Sequence, residues 1–164
     1  MKKKIFLAVI CLFLIFVLIW GANYFAYGKY VSSSFDRFPG SLGTYVSDAD
    51  FSEYSYLVGK PALFEFSGCL SSNNDSGTIG IIVWPSFMCS GIKEYGLILY
   101  KEGEGGDGRG AGYLLYVDKD MSIDDKKDTG LSDEDLENAV ALYSAYYPEI
   151  IKQYRAMQDV FGLD

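Results

Sequence analysis

The sequence predicts an α+β protein: an N-terminal transmembrane helix, then an antiparallel meander of four to six strands packed against a C-terminal helix or kinked helix pair. Three observations predict it. After Lys2, Lys3 and Lys4 no charged residue appears until Lys29. Residues 42–117 hold short segments rich in Tyr, Phe, Ile, Val and Leu, separated by Gly, Pro, Asn and Asp. From Leu136 to Phe161, apolar residues recur at helical spacing.

Residues 5–22 are almost wholly apolar, and the uncharged run continues to Gly28. At about 1.5 Å per residue, such a helix reaches roughly 36 Å, more than the ~30 Å hydrocarbon core of a bilayer. Trp20, Tyr24 and Tyr27 stand at the far end, where amphipathic rings favour the headgroup region. The three leading lysines place the N-terminus in the cytoplasm and the rest outside, in the periplasm if the cell is Gram-negative. A cleaved signal peptide is the competing reading, with Ala26-Tyr27-Gly28 as the small-x-small site and the cut after Gly28. The expected organisation is an anchor over 1–28, a juxtamembrane stalk over 29–40 and an extracytoplasmic α+β domain over 41–164.

Within that domain, residues 42–46 predict a first strand. Asp48-Ala49-Asp50 reads as a turn, and 51–58 is ambiguous, although Tyr54, Tyr56 and Val58 alternate as in a strand. Residues 62–67 predict a strand with Phe64 and Phe66 on one face. The polar stretch 68–77 predicts a loop. Residues 78–84, Thr-Ile-Gly-Ile-Ile-Val-Trp, are apolar on both faces and predict a central strand buried on both sides. Strands over 95–101 and 111–117 follow, joined by the Gly-rich stretch 102–110. After the charged connector 118–130, Ser132 reads as an N-cap, with Asp133, Glu134 and Asp135 in the first turn. The stripe Leu136, Val140, Tyr143, Tyr147, Ile150, Tyr154, Met157 and Phe161 predicts a sheet-packing face, and Pro148 predicts a kink or break near Tyr146–Tyr147.

Composition narrows function by exclusion. There is no histidine, which removes Ser-His and Cys-His catalysis in cis and the usual zinc sites. Of the 14 basic residues three belong to the N-terminus, leaving 11 against 22 acidic ones, a net of −11. A field of that sign disfavours nucleic acid and anionic lipid as partners and suits solubility, a basic protein partner or divalent cations. Cys69 and Cys89 are an even pair in an oxidising compartment and predict a disulfide, closing a loop of about 20 residues for roughly 3 kcal/mol. Cys11 stands apart in the apolar run.

No cofactor is expected, and four candidate constellations are weak. Ser90-Gly91-Ile92-Lys93 is a Ser-x-x-Lys without the companion triplets of the serine enzymes that use it. Asp118, Asp120, Ser122, Asp124, Asp125 and Asp128 recur like calcium ligands, but Ile123 and Thr129 stand where an EF-hand needs Gly and Glu. In the Gly-rich stretch, Glu102, Glu104, Asp107 and Arg109 suit a partner-binding loop better than a phosphate cradle, which needs no acids. Glu65, paired with Glu94 or Glu102, is the carboxylate option for an envelope hydrolase. The leading expectation is a non-catalytic, membrane-anchored extracytoplasmic protein that binds another protein, of the inhibitor or immunity type. The alternatives are a structural subunit of an envelope membrane complex and the carboxylate hydrolase.

Overall fold

The computed structural model describes residues 2–47, 53–100 and 112–163. Helix α1 (Lys2–Ala26) passes into a 3-10 turn, Tyr27–Tyr30. Seven strands follow among the described residues: β1 (Phe35–Arg37), β2 (Thr44–Ser47), β3 (Tyr54–Gly59), β4 (Cys69–Asn74), β5 (Ile79–Pro85), β6 (Ile92–Leu99) and β7 (Tyr113–Val117). They form one antiparallel sheet in strict sequence order. Helix α2 (Asp133–Phe161) lies across one face. The α+β class and the meander are as expected. The strand number exceeds the expected four to six.

α1 is the one described helix long and apolar enough to cross a membrane, with a mean hydropathy of 3.0 in its most apolar window. Its last turns are not free of the domain. The residues read as a stalk place Tyr30 and Phe35 in the core and contribute the edge strand β1.

The core lies between the sheet and α2. Alternation in β3 sends Tyr54, Tyr56 and Val58 inward, and the same face carries Leu70, Ile79, Ile81, Val83, Leu97, Leu99, Leu115 and Val117. Ile150, Tyr154, Met157 and Phe161 of α2 meet this face, as the stripe predicts. Further toward the N-terminus the stripe holds only at Tyr143, which packs against the core and donates to the Met121 carbonyl. Leu136, Val140 and Tyr147 are exposed, and Ala139 is buried instead. Elsewhere in this half the contact face runs one position before the expected residues, through Ala139, Leu142 and Tyr146. Ser132 caps the helix by accepting from the Asp135 N–H, and Gly162 ends it in the left-handed region at φ 61°. Pro148 does not divide it. The helix continues through this position and gives up one i→i−4 hydrogen bond.

Two strand assignments change. Residues 62–67 are not a strand: Phe64 has φ 69°, and Phe64 and Phe66 turn toward Phe16 of α1 at 5.8 and 5.5 Å between ring centroids. The alternation there serves helix docking rather than a sheet. β4 falls within the stretch expected to be a loop. Its inward positions are Leu70 and Ser72, and Gln153 of α2 donates to both the carbonyl and the hydroxyl of Ser72 at 3.0 and 3.2 Å. A buried hydrogen-bonded pair thus takes a core position that an apolar pattern does not reveal. Asn74 closes the β4–β5 hairpin, its Oδ1 accepting from the Thr78 and Ile79 N–H groups at 2.9 Å each. The expected turn at 48–50, the start of the ambiguous 51–58 stretch and the Gly-rich stretch 102–110 lie outside the described residues.

Tyrosines built into this core give the fold an alkaline limit. Burial, reinforced by the hydrogen bond to the Glu149 carboxylate at 2.8 Å, pushes the Tyr54 hydroxyl well above its usual range. Burial and the neighbouring Tyr95 do the same for Tyr154. A folded-state pKa raised above the unfolded value favours the neutral phenol. That stability is fully present below about pH 10 and is lost as pH climbs through the folded values. The melting temperature is expected to be insensitive to these groups between about pH 7 and 9 and to fall from about pH 10 upward. Tyrosinate absorbance should rise together with unfolding. Full ionisation of these tyrosines in a still-folded chain would contradict this.

Candidate protein-binding face

Residues directly opposite in a ladder share a face. Ile82, Gly96 and Tyr116 are aligned, as are Gly80, Ile98 and Leu114, while Trp84 stands opposite Glu94. These rows form the sheet face away from α2. Ile82, Trp84, Ile98, Leu114 and Tyr116 are all half-buried. Among the described residues no helix or strand packs over them. β5 is therefore fully buried on the α2 face, through Ile79, Ile81 and Val83, while on the other face Gly80 is buried and Ile82 and Trp84 are half-buried. The expectation of burial on both faces is corrected.

The side chains on this face are organised. The Trp84 ring lies over Gly96, where a Cβ would come within 2.8 Å of the indole and 3.2 Å of Leu114 Cδ1. Only glycine lets the ring lie against the strand. Trp84 and Tyr116 stand 6.5 Å apart between ring centroids. Lys127 places its Nζ 5.0 Å over the Tyr116 ring and pairs with Glu94, whose carboxylate holds the ammonium pKa above its usual value. The result is an aromatic and aliphatic centre with a charged margin, the composition of a recognition surface. Beside it is an open groove of about 600 Å³ that includes Lys93, Asp118, Asp120 and Asp124. Opposite charges alternate along it, so it presents no single-sign field.

The sequence-level candidates are dispersed. Asp120, Asp124 and Asp128 each accept from a backbone N–H two residues on, those of Ser122, Lys126 and Gly130. Their oxygens serve turns. Among the described residues no set of three Asp, Glu or Cys side chains is placed to hold a metal ion. Ser90 Oγ donates to the Phe87 carbonyl in the turn before β6, while Lys93 is exposed on that strand. Glu65 lies in the loop beside α1 and Glu94 is paired with Lys127 on β6, so they belong to different parts of the molecule. Glu102, Glu104, Asp107 and Arg109 lie outside the described residues.

Cys69 and Cys89 are both free thiols, so the expected disulfide is not formed in this structure. Cys69 opens β4, with its Sγ 3.2 Å from where a Gly59 Cβ would stand. Cys89 is buried in the turn after β5 at φ 53°. Burial pushes both thiols up, opposed at Cys89 by the nearby Lys29 ammonium. Both are therefore poor thiolates at neutral pH.

Comparison with protein-family models, with curated proteins and with solved structures gives no match.

Proposed function

We propose that the chain is a non-catalytic protein-binding module, held by α1 as a single span with its N-terminus in the cytoplasm and its sheet domain outside. The partner is a protein that docks on the Trp84–Tyr116 face. The observation that carries this reading is the apolar sheet face that no second layer covers among the described residues. A sheet normally hides such a face, and Trp and Tyr are the residue types that dominate binding energy at interfaces. The acidic balance of the domain, 22 acidic residues against 11 basic ones once the leading lysines are set aside, suits a partner with a basic rim. An inhibitor or immunity-type protein fits this description. So does a structural subunit of an envelope complex, for which the same face would be permanently occupied.

Mild crosslinking in native membranes, followed by purification of the full chain, tests the reading. Wild type is expected to retain a protein partner. Tyr116→Arg is expected to lose it by roughly 30-fold, corresponding to about 2 kcal/mol at an interfacial hot spot. Tyr116 packs near Trp84 under the Lys127 ammonium, so melting of the variant is measured alongside and loss of the partner counts only where the fold is retained. A partner present in stoichiometric amount in every membrane preparation indicates the permanent subunit, and one captured only when it is supplied indicates the inhibitor. Partner capture unaffected by Tyr116→Arg, or turnover of a small substrate with no partner captured, would overturn the proposal.

A further inference from the structure

Two loops flank α1 where it enters the domain, residues 62–66 and the turn Phe87–Cys89. Both present large apolar side chains outward. Leu63, Phe64, Phe66, Phe87 and Met88 are 36–65 % exposed. Phe64 and Met88 hold left-handed backbone at φ 69° and 54°, a conformation that bulky residues rarely take. Solvent-facing loops normally put Gly or Asn at such positions. These loops instead place a ring and a thioether there, next to the most apolar helix of the chain.

Depth along α1 decides what they face. Phe16 packs against Phe64 and Phe66, and it precedes Trp20 by one helical turn, about 6 Å. If Trp20 marks the headgroup boundary, whatever touches Phe16 reaches the first part of the acyl region. Loop backbone can enter such a region only if its polar groups are satisfied by protein. α1 satisfies part of that demand with its few polar side chains. Trp20 Nε1 donates to the Ala62 carbonyl at 2.9 Å, and Asn23 Nδ2 donates to the Phe66 carbonyl at 3.0 Å. Asn23 Oδ1 accepts from the Met88 N–H at 2.6 Å. At the rim, Lys60 Nζ lies 4.8 Å over Tyr24 and 5.0 Å over Tyr45, at the level where lipid phosphates would stand. Glu65 is the one charged residue among 61–68. It limits insertion to a depth from which a carboxylate still reaches the headgroups.

We propose that these two loops form a lipid-embedded collar, which seats the domain directly on the outer leaflet and fixes its orientation. The occupant is the bilayer itself. The inference rests on α1 being a membrane span, and the test separates the two. The full chain carrying Cys11→Ala is reconstituted in phosphatidylcholine–phosphatidylglycerol vesicles. Nitroxides are attached at Leu12→Cys, Phe64→Cys, Met88→Cys and Arg155→Cys, with the parent chain reporting any labelling of the recessed Cys69 and Cys89. Collisions with oxygen and with a water-soluble nickel chelate are compared at each site. At residues 12, 64 and 88 oxygen is expected to exceed the chelate severalfold, with the order reversed at 155. Residue 12 in lipid with 64 and 88 in water overturns the collar and leaves the span intact. Residue 12 in water overturns both. Low access of both probes to 64 and 88 indicates a protein occupant and overturns the lipid assignment. A thiol-independent check is Phe64→Trp, whose added emission should be quenched by lipids brominated high on the acyl chain; no such quenching counts against the collar.

Discussion

Gly68→Ala is expected to lower the stability of the folded chain by about 3 kcal/mol, the upper end of what one added methyl does in a packed site. A Cβ at residue 68 would stand 2.3 Å from the Gly59 carbonyl oxygen and 2.7 Å from Tyr27 Cε1. The first of these is backbone in a paired strand and cannot step aside without breaking the β3–β4 ladder. The second is the ring of a fully buried tyrosine whose hydroxyl accepts from the Gly68 N–H at 2.9 Å. The added methyl therefore disturbs the end of the β3–β4 ladder and the junction with α1 together. Gly91→Ala is the matched control. Nothing lies within 4 Å of its Cβ position and its φ is not in the left-handed region, so its effect should stay within about 0.5 kcal/mol. Urea unfolding in detergent, followed by near-ultraviolet circular dichroism, measures both. Equal stabilities for the two variants would refute this account of the junction.

Gly68 also shows where the sequence is a poor guide. Its role depends on Tyr27, which is 41 positions away. No local pattern reports that a residue just past an apolar run will meet a hairpin that far along the chain. The apolar helix and the capped C-terminal helix were legible because their causes are local: hydropathy in one case, and Ser132, the acidic first turn and Gly162 in the other. β4 was hidden because Ser72 occupies a core position by hydrogen bonding with Gln153. The offset in the first half of α2 was hidden because Ala139, being small, does not mark a face. The candidate site was half legible. Apolar residues on both faces of 78–84 were visible, and they were read as two buried faces. Whether a second layer exists depends on the remainder of the fold, and α2 alone can cover only one side. The pattern is the same for residues 62–67, where alternating Phe64 and Phe66 meet Phe16 on a helix instead of a neighbouring strand.

The second large effect is expected at Asn23. This side chain is fully buried although it belongs to the apolar helix, and each end of its amide is used. Its Nδ2 donates to the Phe66 carbonyl and its Oδ1 accepts from the Met88 N–H, so one residue ties α1 to both flanking loops. Asn23→Ala leaves a carbonyl and an N–H without partners at a site closed to water. At about 1–3 kcal/mol for each of the two stranded groups, the expected loss is roughly 2–6 kcal/mol. Asn23→Leu fills the volume and should still lose most of this, because the cost comes from unsatisfied backbone rather than from a void. Asn23→Asp separates the two bonds. An ionised carboxylate still accepts from Met88 but cannot donate to Phe66, and it sets negative charge against that carbonyl, so it should be at least as damaging as alanine at neutral pH and milder in acid. Hydrogen exchange locates the damage: faster exchange is expected at Met88 and around residues 62–68, with the β5–β6 ladder unchanged. Uniform acceleration across the sheet would show that Asn23 supports the fold generally, and unchanged exchange at Met88 would remove it from the junction.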